Sequence, residues 1–146
     1  MRVQRIQAAT LQAGRAGAPA FVLREPLSFW GGLDVESGRI VDRWHPQHES
    51  VLSGKILVMR AGRGSSSGSS VLAEALRRGT GPAGIILQVR DAIVIVGAMI
   101  ASELYGRDCP VVLAGIDDWP LITSGARLEI EAGDADAAIA VHCDAG

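Results

Sequence analysis

The sequence predicts an α/β domain with a parallel β-α-β core and an additional β layer. Three observations lead there. Short apolar runs at 55–59, 84–89 and 110–114 have the composition of strands buried on both faces. Segments with helical spacing lie between them, so strand and helix alternate as parallel crossovers require. Alternating segments at both ends of the chain read as further strands and supply the second β layer.

Taken in order, Val3 to Leu11 loosely alternates apolar and polar residues and predicts a strand. Gly14 to Pro19 predicts a turn from its glycines and proline, and Ala20 to Leu23 a short second strand. From Glu25 to Ser53 the pattern is broken by Pro26, Gly31, Gly32, Gly38 and Pro46. Within it Arg39 to Asp42 predicts a brief strand, and a loop this long in a compact domain is usually functional. Lys55 to Met59 predicts a buried strand. Ser69 to Arg78 then carries Val71, Leu72, Ala75 and Leu76 at helical spacing, with Gly79 as a stop. Gly84 to Val89 predicts the next buried strand. Ala92 to Tyr105 opens on β-branched residues, yet its Ala/Met/Glu/Leu half favours helix and Gly106 closes it. Pro110 to Ala114 is the third buried strand. Ala126 to Glu131 and Ala137 to His142 predict two strands joined by a Gly133-Asp134 turn.

A chain of 146 residues holds one domain, 1–146, with a real core, and is too short for two of ordinary size. Hydrophobic residues at 48% and a net charge of −2 exclude a disordered chain. That charge also implies no strongly basic face, so nucleic acid is not an expected partner. The longest apolar run, Ala92 to Ala101, is too short to cross a bilayer, and Met1 to Arg5 leads into no apolar signal region. No membrane partner and a cytoplasmic location are therefore expected. Cys109 and Cys143 cannot build a disulfide framework or, alone, hold an iron–sulfur cluster. Metal chemistry would need ligands from another chain. Phe21, Phe29, Trp30 and Trp44, four of only six aromatic residues, fall in one early segment and suggest a local core or pocket wall.

The most informative run is Gly62-Arg63-Gly64-Ser65-Ser66-Ser67-Gly68-Ser69-Ser70. Between a buried strand and a helix, its backbone N–H groups and the helix dipole make an anion site. Glycines admit a ligand close to the backbone, and serine hydroxyls add donors without bulk. Arg63 could clamp a carboxylate through two hydrogen bonds. A P-loop is excluded, because no lysine stands at Gly68-Ser69-Ser70. A serine hydrolase is disfavoured, because Gly64 to Gly68 lacks the Gly-x-Ser-x-Gly spacing. A serine base would need its pKa lowered by surrounding N–H donors and cations. The bland reading is a surface loop with a serine helix cap.

Leu27-Ser28-Phe29-Trp30-Gly31-Gly32-Leu33-Asp34, Gly38-Arg39-Ile40-Val41-Asp42, His45-Pro46, Gly54-Lys55-Ile56-Leu57-Val58 and Gly62-Arg63-Gly64-Ser65-Ser66 follow one another in that order. With Leu104-Tyr105-Gly106 and Pro110-Val111-Val112 they resemble the small subunit of the aconitase X family over nearly the whole chain. The resemblance implies an aconitase-like swivelling β/β/α domain, separate from the body that carries the iron site. It implies a two-chain hydro-lyase. The large subunit would hold the iron or iron–sulfur cluster and most substrate contacts, with no metal bound by this chain alone. In aconitases the first serine of a Gly-Ser-Ser turn is the catalytic base, which by position is Ser65, with Ser66 and Ser67 as rivals in the same run. Arg63, Gly64, Ser66 and Ser67 would bind a small hydroxy-acid substrate. Arg63 departs from the aconitase pattern, in which the arginine follows the serines. The family dehydrates cis-3-hydroxy-L-proline or phosphomevalonate, and the Ala/Gly/Arg-rich composition points to the first. A different class of function, a non-catalytic anion-binding or regulatory module, would use the same loop.

Asp34, Asp42, His45 and His48 share the long loop with Trp30 and Trp44, so the loop either closes over a site or packs on a partner, with Trp30 as anchor. His45 and His48 are too few for a closed metal site. Asp117-Asp118-Trp119 reads as a solvated turn, Cys109 as a small buried hydrophobe and Glu103 as a solvated helix residue.

Overall fold

The computed structural model describes residues 2–143; Met1 and residues 144–146, which the expected 1–146 domain includes, lie outside the described residues. The elements are β1 (Arg2–Gln12), β2 (Gly14–Val22), a single kinked turn α1 (Phe29–Gly32), β3 (Ile56–Met59), α2 (Gly68–Arg78), β4 (Gly84–Leu87), α3 (Ala92–Tyr105), β5 (Val111–Leu113), a 3-10 turn Trp119–Leu121, β6 (Arg127–Ala132) and β7 (Asp136–Cys143). The strands close into a barrel in the order β1-β5-β4-β3-β2-β6-β7. Strands β2, β3, β4 and β5 run parallel, while β1, β6 and β7 join them through antiparallel pairs. The expected parallel core and additional β layer thus become two sides of one closed sheet.

Strand β2 joins those sides. Its residues Gly14–Pro19 pair antiparallel with β6, and Ala20–Val22 then run parallel to β3. The expected turn over Gly14 to Pro19 is therefore a strand. The pairing with β6 overrides the local turn preference, because Pro19 already holds a φ compatible with extended chain. The reversal after β1 is confined to one residue, Ala13. Arg39 to Asp42 forms only isolated bridges, Arg39 with Val51 and Ile40 with Leu33. The remaining strand and helix expectations hold to within a residue or two at each end.

Apolar packing divides at the sheet. Ile56 and Val58 of β3 point into the barrel with Ile86, Val112, Ile130 and Ile139. Leu57 and Met59 point outward, against Leu72 and Leu76 of α2 and Val94 and Ala98 of α3. All four β3 residues are buried, as a strand covered on both faces must be. Each such aliphatic side chain contributes about 1.5–3 kcal/mol. Helix α2 ends at Gly79 and α3 at Gly106, both in the left-handed region. Among the described residues no helix is long and apolar enough to cross a membrane.

Candidate functional site

The serine turn leaves the carboxyl end of β3 and enters α2. Its path is fixed by close neighbours. A Cβ at Gly62 would lie 2.7 Å from Asp91 Oδ2, so only glycine lets the chain pass the start of α3. Gly64 has φ +98°, and a Cβ there would collide with the Ser28 hydroxyl, which itself donates to the Trp30 carbonyl at 3.0 Å.

Ser65 begins the helical ladder. Its Oγ accepts from the Ser67 N–H at 3.1 Å, and its carbonyl accepts from the Gly68 N–H at 2.9 Å. Ser67 is already helical, with φ −62° and ψ −14°, and its side chain caps nothing. Ser65 is thus the acting N-cap of a tight first turn. Arg63, Gly64, Ser65, Ser66 and Ser67 are all exposed, so the turn presents its hydroxyls and its arginine to solvent. An N–H donated to Oγ, together with the positive end of α2, lowers the cost of ionising the hydroxyl.

Two other elements frame the turn. Asp91 caps α3, its Oδ1 accepting from the Ile93 and Val94 N–H groups at 2.9 and 3.2 Å, and the Ser69 hydroxyl donates to the Ile93 carbonyl at 2.7 Å. The starts of α2 and α3 therefore lie side by side. On the other flank, Arg63 Nη2 stands 3.9 Å from Asp42 Oδ2, while Asp42 Oδ1 accepts from the Trp44 N–H at 3.0 Å. A pair this long and this exposed contributes at most about 1 kcal/mol. It orients the guanidinium without burying it.

The structure thus gathers Arg63, Gly64, Ser65, Ser66 and Ser67 on one surface with Asp42. Ser28 and Asp91, which frame that surface, were missed by sequence reasoning. Asp91 had a readable signal, an aspartate just before an apolar helix, whereas Ser28 had none, being 36 positions from Gly64. Of the clustered aromatics, Phe29 is buried, but Trp30 is 59% and Trp44 91% exposed. Asp117 and Asp118 lie in a turn after β5, and Glu103 is exposed. A concavity of about 670 Å³ sits at the β6–β7 turn, lined by Gln7, Arg15, Glu131 and Asp136 among others, and includes no residue of the serine turn.

Among the described residues the donors do not fit an iron or iron–sulfur group. Cys109 is fully buried, and burial pushes its thiol up to about 12, so it is no ready thiolate. His45 spends both ring nitrogens, Nε2 at 3.0 Å from the Glu25 carbonyl and Nδ1 accepting from the Gln47 N–H at 3.1 Å. Among the described residues no three His, Cys, Asp or Glu side chains gather into a metal site.

Comparison with known proteins agrees with this architecture. Residues 5–139 match the aconitase X swivel domain family. The crystal structure of Thermococcus kodakaraensis aconitase X superposes with a TM-score of 0.80 and 28% identity, over 93% of this chain and 98% of that one. The cis-3-hydroxy-L-proline dehydratase of Pseudomonas aeruginosa is 41% identical over 83% of this chain but only 22% of its own length. The phosphomevalonate dehydratase small subunit of Methanothrix thermoacetophila is 34% identical over 82% of this chain and 88% of its length. The chain spans about a fifth of the hydroxyproline dehydratases it matches. With its serine turn at the head of α2 on a closed seven-stranded sheet, the chain belongs to the aconitase X swivel domain family.

Proposed function

We propose that this chain is the small subunit of a two-chain hydro-lyase that dehydrates a small hydroxy acid, cis-3-hydroxy-L-proline in the first instance. The observation that carries the reading is the exposed turn at Ser65, whose Oγ receives the Ser67 N–H at the start of α2. In this reading Ser65 takes the proton from the carbon beside the carboxylate. The C–H electron pair forms the double bond as the neighbouring C–O bond breaks, the departing hydroxyl takes up a proton from solvent to become water, and Ser65 returns its proton to solvent. Arg63 holds the carboxylate by paired hydrogen bonds, and Gly64, Ser66 and Ser67 surround it with N–H and hydroxyl donors. Because the donors among the described residues do not fit a metal, the iron or iron–sulfur cofactor is assigned to a large partner subunit. Exposed Trp30 anchors that partner beside the turn. The proposed setting is the cytoplasm.

A second substrate, phosphomevalonate, is favoured by one observation: relatives that match over most of their own length are phosphomevalonate dehydratase small subunits. Co-expression with the large aconitase X subunit from the same genome, followed by assay of both compounds, decides. Turnover of cis-3-hydroxy-L-proline supports the first reading, and turnover of phosphomevalonate alone replaces it with the second. Failure of an assembled, metal-loaded complex on both overturns the hydro-lyase assignment in favour of a non-catalytic anion-binding module.

A further inference from the structure

Helices α2 and α3 pack side by side on the same face of the sheet, yet their outward faces differ in kind. The outward face of α2 carries Ser70, Glu74, Arg77 and Arg78, with Glu74 paired to both arginines at 2.6 and 2.9 Å. Such a face is made for water. In α3, by contrast, Ala92, Val96, Met99 and Glu103 form the exposed stripe, flanked by half-buried Ile95 and Ile100. A helix apolar nearly all round is normally covered on every side. Val96 and Met99 are nonetheless 37% and 42% exposed in this chain.

We propose that the outward face of α3 is a docking surface for the large metal-bearing subunit, an inference that rests on the hydro-lyase reading above. Two observations select this occupant. First, the start of the helix adjoins the serine turn: Ile93 and the Trp30 backbone both border Gly68, Asp91 borders Gly62, and exposed Ala92, the first residue of the stripe, lies between Asp91 and Ile93. A partner that covers Ser65 meets the first turn of α3. Second, the matched region is only 22% and 20% of the length of the hydroxyproline dehydratases. There the domain is one part of a much longer chain. A small subunit without that covalent link needs an interface of its own, and exposed apolar area is the usual centre of one.

The test is association of the full chain with the large aconitase X subunit from the same genome, measured by titration calorimetry. Val96→Glu/Met99→Glu should weaken binding at least a hundredfold and leave the thermal unfolding of the free chain unchanged within a few degrees. Glu74→Ala on α2 should bind as wild type. Hydrogen exchange of the wild-type complex supplies a readout independent of any variant, with slowed exchange expected over 92–103. Undiminished binding by the double variant, or unchanged exchange in α3, overturns this inference alone. Self-association of the free chain that the double variant abolishes, without loss of large-subunit binding, assigns the face to a second copy and also overturns it. If the wild-type chain does not bind the large subunit at all, the hydro-lyase reading itself fails.

Discussion

Replacing Ser65 by alanine separates the capping bond seen for its hydroxyl from the base role proposed for it. As the N-cap of α2, Ser65 accepts the Ser67 N–H at 3.1 Å, and removal of such a cap costs about 1 kcal/mol. Unfolding entropy of about 2.1 cal/mol/K per residue, taken over 146 residues, gives about 0.3 kcal/mol/K for the chain. The expected fall in Tm is therefore about 3 °C. As a base, the same oxygen would account for about 10²–10⁴ in kcat. Asparagine caps helices as well as serine does but accepts no proton from carbon. Ser65→Asn should thus recover the Tm and not the turnover. Both variants are assayed with the large subunit, with assembly checked by sedimentation. A Ser65→Ala complex that keeps kcat within about threefold of wild type would refute the base assignment. Unchanged Tm would refute the cap.

Gly64→Ala should lower Tm by several degrees, because it meets both a φ of +98° and the Ser28 hydroxyl. Adding Ser28→Gly should recover part of the loss by removing the collision, and a double variant no better than the single one would contradict the packing. Paired with Arg77 and Arg78, Glu74 has its carboxyl lowered from 4.5 to about 2. Its contribution to stability is therefore complete above pH 4.5 and disappears as the pH falls through about 2. Glu74→Gln should flatten the pH dependence of denaturant midpoints in that window, and an unaltered slope counts against the pairing. A thiol reagent should label half-buried Cys143 in the native chain but reach Cys109 only on unfolding, so simultaneous labelling of both would contradict the burial of Cys109.

The helices and the central strands were legible because each carries its signal locally. Gly79 and Gly106 mark where α2 and α3 stop, and β3 is an unbroken apolar run. Strand β2 was half illegible. Its inward residues Ala16, Ala18 and Ala20 contrast weakly with Gly17 and Pro19 between them, so no alternation stands out. Only pairing with β6, more than 100 positions away, makes it a strand. The serine turn likewise showed its composition but not its walls, because Ser28, Asp42 and Asp91 reach it across long stretches of chain. His45 read as a loop residue, yet it is a buried strut between Glu25 and Gln47.

Because the sheet closes on itself, β7 pairing with β1, each of the seven strands has two partner strands, although Arg2–Ala8 of β1 pair only with β7 and Gly14–Pro19 of β2 only with β6. An open sheet cut away from a larger protein would bare a row of N–H and C=O groups and invite another copy to zip onto it. A closed one has no strand bared along its whole length. The same domain can therefore be part of a long dehydratase chain in one lineage and a separate small subunit in another without baring a whole edge strand in either. Gene fission or fusion then changes what the domain is attached to, and leaves the strand order of the barrel untouched.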